Sequence, residues 1–384
     1  MVKASEYVCR LPRSGIRELM GMALCIQGAI HLEMGEPHFS TPPFVIERLQ
    51  EFFSRGEVKY TPTIGIPSLR EAIVRQLKSE KGWETDLEQV MILPGSLFGT
   101  VVVFRAMLEP GDDVLVPDPG FTNHFSQVEL CGGRINRYFL RQENDYLPDF
   151  SEIRTSITPR TRIILVNSPS NPLGVVFPAQ VMEEFARLSE EFNLLVVSDE
   201  AYEHYVYEGT HQPMFKFVPP ERLVSIFSFS KTYALTGWRV AYMVVPVHLA
   251  SHLMKVEEYL IACTSHIGQK AAEAALDMPR QLVLHMVASY DHNRRLALRL
   301  LDEGGYTYYR PRGGYYIWID IREFGISSLE WCKTVLQKTC VALAPGDTFG
   351  QGGEGFARLS FCRREDEVTE GVRRLAKFRR ECLS

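Results

Sequence analysis

Three runs of mainly β-branched and aliphatic residues constrain the fold of this chain more than any other feature. They are Thr161–Asn167, Leu194–Asp199 and Leu223–Phe229, and a segment with helical spacing, Pro178–Phe192, lies between the first two. Strands that are apolar along their whole length are buried on both faces, which favours a mainly parallel sheet covered by helices. Ligands of such sheets bind outside the carboxyl ends of the strands. We therefore expect a binding site beside the polar residues that end or follow these runs.

The length of the chain, 384 residues, favours two domains over a single core. A long helical stretch over residues 249–301, broken near Asp277–Pro279, leads into short strands. The sequence therefore predicts an α/β protein: a large domain with a mixed, mostly parallel sheet covered by helices on both faces, plus a smaller α+β domain. We place an N-terminal segment that joins the small domain at residues 1–45, the large domain at 46–275 and the small domain at 276–384.

The composition argues against several classes of function. A net charge of −5 gives no electrostatic basis for binding nucleic acid or an anionic membrane. The longest apolar stretch, Met91–Leu108, contains Pro94 and Arg105 and is not typical of a membrane span. The first residues show no apolar signal core. The 8 cysteines form no CxxC pair and the 10 histidines show no zinc spacing, so we expect reduced thiols, no metal site and a cytoplasmic location.

Lys231 is the first candidate for chemistry. It follows two serines, Ser228 and Ser230, and Arg239 lies further along the same segment. Burial and a neighbouring positive charge lower the pKa of an amine, as a Schiff-base lysine requires. Serine hydroxyls and an arginine also suit a phosphate, so this group of residues points to pyridoxal phosphate. The alternative is a solvated lysine at the start of a loop.

Gly95 and Ser96 come directly before a predicted helix, and Asp199 ends a predicted strand. The free N–H groups at the start of a helix form an anion site, although an ordinary turn would have the same sequence. A buried carboxylate needs a cationic partner, and the protonated nitrogen of a pyridine ring would be one. Asp199 could equally be a helix cap or a surface acid.

Four further residues are candidates by their type and position. Asn171 lies in a proline-rich loop after a predicted strand. It could donate a hydrogen bond to the cofactor's phenolic oxygen, as could Tyr202, although an asparagine before proline is common in turns. Phe121 could stack on a cofactor ring or belong to the core. Arg358 alternates with apolar residues in a predicted strand, so it either faces solvent or clamps a carboxylate.

Taken in order, these motifs resemble the class I/II pyridoxal-phosphate-dependent aminotransferases, the aspartate aminotransferase superfamily of fold type I. The resemblance covers nearly the whole chain and rests on Gly35-Glu-Pro, Tyr60 with Gly65, Gly95-Ser96, Asn171-Pro-Leu-Gly174, Asp199-Glu-Ala-Tyr202, Ser228-Phe-Ser-Lys231, Gly237-Trp-Arg239 and Arg358. It implies that the large domain binds pyridoxal 5'-phosphate. It also implies transfer of an amino group from an L-amino acid to a 2-oxo acid by a ping-pong mechanism.

The resemblance further implies a role for each candidate residue. Lys231 would form the internal aldimine and move the substrate proton, and Asp199 would pair with the ring nitrogen. Asn171 and Tyr202 would bind the phenolic oxygen of the cofactor, and Phe121 would stack on the ring face. The phosphate would be bound by the main chain of Gly95, Ser96 and Leu97 and by Ser228, Ser230 and Arg239. The substrate α-carboxylate would be bound by Arg358 with Gly35 and Asn171. Tyr60 would reach the phosphate of a neighbouring subunit, which implies a homodimer with shared active sites.

Two alternatives remain open at this point. Leu173 resembles the corresponding residue of 1-aminocyclopropane-1-carboxylate synthases, so a pyridoxal-phosphate-dependent lyase could use the same site. A sensing domain of a transcription regulator ranks last, because the chain is not basic and shows no DNA-binding extension. Some acid-specific relatives have a lysine where Ser96 stands, so a preference for dicarboxylates is not supported. The substrate pocket could be lined by Phe39, Tyr315, Tyr316 and residues 14–20, which would favour apolar or aromatic substrates.

Overall fold

The structure is a computed structural model that describes residues 2–4, 8–9, 11 and 14–383. Residue 383 is described by its backbone only. Numbered in chain order, its strands are β1 Ile30–His31, β2 Val90–Leu93, β3 Asp113–Asp118, β4 Arg134–Phe139, β5 Thr161–Asn167, β6 Leu195–Asp199, β7 Leu223–Ser228, β8 Ala241–Val244, β9 Thr307–Tyr309, β10 Tyr316–Asp320, β11 Val341–Ala342, β12 Ala344–Pro345 and β13 Phe356–Ser360. The three apolar runs of the sequence are β5, β6 and β7. Every residue in them is buried except Arg162.

Seven strands form one sheet in the order β2-β8-β7-β6-β5-β3-β4. Neighbouring strands are parallel except β8, which is antiparallel to both β2 and β7. The sheet is therefore mixed and mostly parallel, as predicted, although the sequence pattern does not predict the short β8. Because β5, β6 and β7 are parallel, the residues that end them lie at one edge of the sheet. Asn167 and Asp199 are direct neighbours in the strand register.

Helices pack against both faces of this sheet. The helices of the described residues are α1 Gly15–Leu24, α2 Pro43–Ser54, α3 Pro67–Lys81, α4 Ser96–Met107, α5 Thr122–Leu130, α6 Phe150–Ser156, α7 Ala179–Glu191, α8 Phe229–Thr232, α9 Val247–Ile261, α10 His266–Leu276, α11 Arg280–Gly304, α12 Ser328–Thr339 and α13 Glu365–Leu383. Among them, α1 and α12 contact β11 and β12. Successive residues of β5 belong to different cores: Val166 lies in one core with Phe185 of α7, and Leu165 lies in another with Val102 of α4. Alternation of side chains along a strand produces this two-sided burial.

The predicted helical stretch over residues 249–301 consists of three helices. Besides the expected break near Asp277–Pro279, a turn at residues 262–265 separates α9 from α10. Ala262 there has a positive φ of 64°. The Ser265 side chain accepts a hydrogen bond from the Gly268 backbone N–H and so caps α10. The hydrophobic periodicity continues through this turn, which is why the sequence pattern alone reads as a longer helix.

A second, four-stranded sheet has the order β12-β13-β10-β9 and is antiparallel throughout. β11 and β12 are separated by one residue but belong to different sheets: β12 joins this sheet, and β11 pairs in parallel with β1. The N-terminal β1 therefore lies against the C-terminal part of the chain. The domain boundaries near residues 45 and 275 stay a prediction. No helix in the described part of the chain is both long enough and apolar enough to cross a membrane.

Candidate active site

A cavity of about 470 Å³ opens at the carboxyl ends of β5, β6 and β7. Twelve of the predicted site residues line it: Gly35, Ser96, Leu97, Phe121, Asn171, Asp199, Tyr202, Ser228, Ser230, Lys231, Arg239 and Arg358. Four further lining residues, Ser14, Ile16, Arg17 and Tyr316, belong to the suggested substrate pocket. The lining residues that the sequence analysis did not assign to the site are Met34, Asn123, Asn167, Ala201 and Thr236. Residues that are far apart in sequence thus meet at the sheet edge that the strand pattern indicates.

Lys231 lies on the short helix α8, directly after β7. Its Nζ donates a hydrogen bond of 2.7 Å to the Gly35 carbonyl, and the Tyr205 hydroxyl donates to the Lys231 carbonyl at 3.0 Å. Burial is the main cause that lowers the pKa of the Lys231 amine, and the nearby Arg358 guanidinium lowers it further. A lowered pKa increases the fraction of neutral amine, which is the nucleophilic form.

Gly95, Ser96 and Arg239 form a site suited to an anion. Gly95 has a φ of 109°, and α4 begins at the next residue without a side-chain cap, so its first N–H groups are free to bind a ligand. A Cβ at Gly95 would lie 2.4 Å from Nη2 of Arg239. The Arg239 Nη1 donates to the Thr236 carbonyl at 2.9 Å, which fixes the guanidinium beside the helix start. A cation and a helix N-terminus at one place favour a phosphate.

Asp199 is buried at the end of β6 and contacts a histidine that the sequence reasoning did not single out. Nε2 of His124 lies 3.3 Å from one carboxylate oxygen of Asp199. The other carboxylate oxygen accepts from the Ala201 backbone N–H at 3.1 Å, and the Asn167 side chain donates to the Asp199 carbonyl at 3.0 Å. His124 is on α5, three residues after Phe121, so a prediction that placed Phe121 at the site could have included it through helical spacing.

Arg358 is buried and held between two aromatic rings. Its guanidinium lies 4.1 Å from the ring centre of Tyr316 and 4.6 Å from that of Phe349. Nη1 donates to Oδ1 of Asn171 at 2.8 Å, and Nη2 donates to the Glu33 carbonyl. Nε is buried and has no hydrogen-bond partner among the described residues. A fixed, buried cation with an unused donor beside a cavity suits a carboxylate ligand.

Tyr202 and Tyr316 share a hydrogen bond of 2.9 Å between their hydroxyl groups. Burial is the first cause that raises the pKa of Tyr202, and Tyr316 raises it further, so the hydroxyl stays a neutral donor. Tyr316 lines the cavity, as the sequence suggests. Tyr315 and Phe39 do not: Tyr315 is buried against the rings of Tyr202 and Tyr205, so the suggestion that these two line the pocket is wrong for the single chain.

Tyr60 lies outside this cavity. Its side chain is 93% exposed, and it does not contact the site of its own chain. Its role depends on a second copy of the chain and stays a prediction. Gly95 does not line the cavity either, but it borders the site through its close approach to Arg239.

The family described as Aminotransferase class I and II matches residues 27–375. This chain belongs to the class I and II aminotransferases. An aspartate aminotransferase of Pyrococcus horikoshii is 35% identical to it over 377 residues, 97% of this chain and 96% of that protein. The aromatic-amino-acid aminotransferase 2 of Thermococcus litoralis is 33% identical over 373 residues, 96% of either chain. The solved Thermus thermophilus aspartate aminotransferase with maleate has a TM-score of 0.93 and 32% identity, and the match covers 98% of this chain and 100% of that one.

Class I and II aminotransferases depend on pyridoxal phosphate, and the described residues of this aminotransferase fit that cofactor. An anion site at Gly95 and Arg239 suits its phosphate, and the Asp199 carboxylate suits a protonated ring nitrogen. Lys231 lies in the same cavity. The bound cofactor would supply an electron-withdrawing ring that weakens the bonds at the Cα of an amino acid.

Proposed function

We propose that this aminotransferase moves an amino group from an L-amino acid to a 2-oxo acid in two half-reactions. In this proposal the first product leaves before the second substrate binds, and Lys231 is the residue that carries the cofactor. One observation carries the proposal: a buried amine with a lowered pKa shares a cavity with Asp199, Arg239 and Arg358. Arg239 would bind the cofactor phosphate and Arg358 the substrate carboxylate, and these two contacts would orient the cofactor and the substrate relative to each other.

We assign the cofactor contacts as follows. The phosphate is bound by the main chain of Gly95, Ser96 and Leu97 together with Ser228, Ser230 and Arg239. Asp199 faces the ring nitrogen, and its contact with His124 keeps the carboxylate oriented. Asn171 and Tyr202 donate to the phenolic oxygen, and Phe121 covers the ring face. The neutral Tyr202 hydroxyl is suited to donation because its pKa is raised by burial.

Lys231 also acts as the base in this proposal. Its amine would take the proton from the substrate Cα and later give it back, while the bound cofactor would supply the electron-withdrawing ring that makes this proton acidic. The low pKa supports this role, because a base must be neutral before it accepts a proton. The Gly35 carbonyl accepts from Nζ and holds the amine on one side of the cavity.

The substrate α-carboxylate is bound by Arg358, with Asn171 and the Gly35 backbone beside it. Relatives of this chain include proteins named for aspartate and for aromatic amino acids, so these names do not indicate which substrate side chain this enzyme prefers. The lyase alternative rests on a sequence resemblance at Leu173, a side chain that is fully buried in the core and does not line the cavity, so Leu173 itself would not contact a substrate there.

We also propose a homodimer in which Tyr60 contributes to the partner's phosphate site. The nearly complete exposure of Tyr60 on the single chain supports this. The test mixes a Tyr60→Ala chain with a Lys231→Ala chain after unfolding or subunit exchange. Shared sites would give hybrids with one intact site and would restore part of the activity that each variant lacks, whereas unshared sites would restore none. The cytoplasmic location stays a prediction that fractionation of cells would test.

The absorption spectrum of the purified protein tests the proposed reaction. With pyridoxal phosphate, the wild type should show a visible band that moves to the ultraviolet when an amino acid is added without oxo acid. Lys231→Ala should stay folded and lose turnover, and Lys255→Ala, at an exposed lysine outside the site, should behave as the wild type. Normal turnover by Lys231→Ala would overturn the proposal. A visible band that persists while ammonia and a keto acid accumulate would favour a lyase.

A further inference from the structure

We infer that Gln269 is a positioning residue for the cofactor site of the partner subunit, because it fixes the loop that carries Tyr60. The inference rests on the proposed function, in which Tyr60 reaches the phosphate site of a second copy of this chain. It adds a residue of helix α10 that lies outside the cavity described above. Residues 59–66 are called the Tyr60 loop below.

The Tyr60 loop depends on tertiary contacts for its conformation. Residues 55–66, all of which the structure describes, form neither helix nor strand between α2 and α3. Because no ladder of backbone hydrogen bonds holds this segment, other groups must bind its N–H and C=O groups. The Tyr60 side chain is almost fully exposed, whereas Gly65 and Ile66 are buried. The loop is therefore anchored at its buried end and presents Tyr60 at the surface.

The side-chain amide of Gln269 anchors this loop. Gln269 is fully buried near the start of α10. Its Oε1 accepts from the Ile66 backbone N–H at 2.7 Å, and its Nε2 donates to the Thr61 hydroxyl and to the Thr264 carbonyl, each at 2.9 Å. Both N–H donors of the amide are thus engaged. Gln269 binds the loop at two points, and one of them, Thr61, directly follows Tyr60 in the chain.

Neighbouring contacts hold the same loop against strand β2. The Thr63 hydroxyl donates to the Ala262 carbonyl at 2.8 Å. The Thr264 hydroxyl donates to the Ile92 carbonyl of β2 at 3.1 Å. A Cβ at Gly65 would lie 2.2 Å from Cγ1 of Ile92, so the loop backbone lies directly on this strand. The backbone of the loop is therefore fixed between α10 and β2.

A fixed backbone favours a contact across a subunit boundary. An exposed tyrosine on a mobile loop would lose conformational entropy when it binds a phosphate, and this loss weakens binding. A loop that is already held by Gln269 pays less of that entropy. Because Gln269 does not line the cavity of its own chain, we expect its amide to act on the cofactor through Tyr60. The alternative is a buried glutamine that stabilises the fold and has no effect on cofactor binding through Tyr60.

Dissociation constants for pyridoxal phosphate test the inference. Tyr60→Ala should weaken cofactor binding by about 10-fold, and Gln269→Leu, which removes the amide, should weaken it by about 3- to 10-fold. The double variant should bind the cofactor no more weakly than Tyr60→Ala alone, because the effect of Gln269 passes through Tyr60. Gln281→Leu, at an exposed glutamine of α11, is the matched control and should bind as the wild type does.

Thr61 provides a milder pair of variants if Gln269→Leu does not fold. Thr61→Val removes the hydroxyl that accepts from Gln269 and keeps the bond between Gln269 and the Ile66 N–H. It should weaken cofactor binding by about 3-fold, the loss of one hydrogen bond. Thr61→Ser keeps the hydroxyl and should bind the cofactor as tightly as the wild type.

The outcomes separate this inference from the proposed function. If Tyr60→Ala weakens cofactor binding while Gln269→Leu and Thr61→Val do not, this inference alone is overturned. Losses that add in the double variant would also overturn it, because they would show that Gln269 acts independently of Tyr60. Unchanged binding in Tyr60→Ala would overturn this inference together with the proposed role of Tyr60.

Discussion

Oδ1 of Asn171 accepts a hydrogen bond of 2.8 Å from Nη1 of Arg358, a residue 187 positions further along the chain. Asn171 follows β5 of the seven-stranded sheet, and Arg358 is the central residue of β13 in the four-stranded sheet. Because we assign Asn171 to the cofactor and Arg358 to the substrate, this bond links the two binding functions. A change at one residue should therefore affect the placement of the other.

Arg358→Lys is expected to lower kcat/KM for every amino donor by about 100-fold or more while the cofactor still binds. A lysine ammonium cannot hold Asn171, the Glu33 carbonyl and a carboxylate with the fixed geometry of a guanidinium. Steady-state kinetics and a cofactor titration separate the two effects. Equal losses of cofactor affinity and kcat/KM would contradict the assignment of Arg358 to the substrate.

Gly95→Ala should weaken binding of pyridoxal phosphate by about 10-fold or more without unfolding the protein. The new Cβ would require a strained positive φ and would displace the Arg239 guanidinium. Gly21→Ala is the matched control, because Gly21 lies within α1 and a Cβ there meets nothing within 4 Å. Cofactor dissociation constants from absorbance titrations measure both. An unchanged cofactor dissociation constant in Gly95→Ala would show that the cofactor phosphate does not bind at the anion site of Gly95 and Arg239.

Asp199→Asn should lower kcat by about 100-fold or more, because a neutral amide cannot stabilise a protonated ring nitrogen. The amide is close in size and its oxygen can still accept from the Ala201 N–H, so the fold should remain, although its NH2 group would then face Nε2 of His124. Single-turnover measurements at saturating cofactor give the rate, and the thermal midpoint serves as the control. A kcat within a few-fold of the wild type would remove Asp199 from the proposed site.

Glu257 should make stability depend on pH. Its side chain is fully buried in α9, one oxygen has no partner among the described residues, and burial raises the pKa of the carboxyl to about 8. The unfolded value is about 4.3, so the folded protein binds more protons than the unfolded one between these values. The contribution of Glu257 to stability is therefore present at low pH and is lost as the pH rises towards 8.

Glu257→Gln should consequently be more stable than the wild type at pH 8.5, by on the order of 3 kcal/mol, and nearly equal to it at pH 5. Denaturant unfolding at the two pH values measures the difference. The same substitution at the exposed Glu258, four residues before Ala262, provides the control and should show no such pH dependence. A difference that does not change with pH would mean that the Glu257 carboxyl titrates normally.

Local sequence determined the three apolar strands and most of the predicted site residues that line the cavity. The apolar runs that become β5 and β6 cannot be exposed, so they specify a buried sheet, and the polar residues Asn167 and Asp199 must then come at its edge. Gly95 and Lys231 could be identified because each lies at a strand-to-helix turn, where neighbours along the chain decide the backbone. These features depend on a few successive residues, and a pattern can detect them.

Tertiary packing alone decided the remaining features. The antiparallel β8 and the turn at Ala262 follow from neighbours elsewhere in the sheet and helices, not from their own short sequences. The contact of His124 with Asp199 joins a helix and a strand that are separate in the sequence. The sequence suggests residues 14–20 as pocket lining, but only the packing of α1 decides which of them face the cavity. The physical reason is that hydrophobic periodicity reports which side of an element is buried, whereas the partner of a side chain depends on how separate elements pack together.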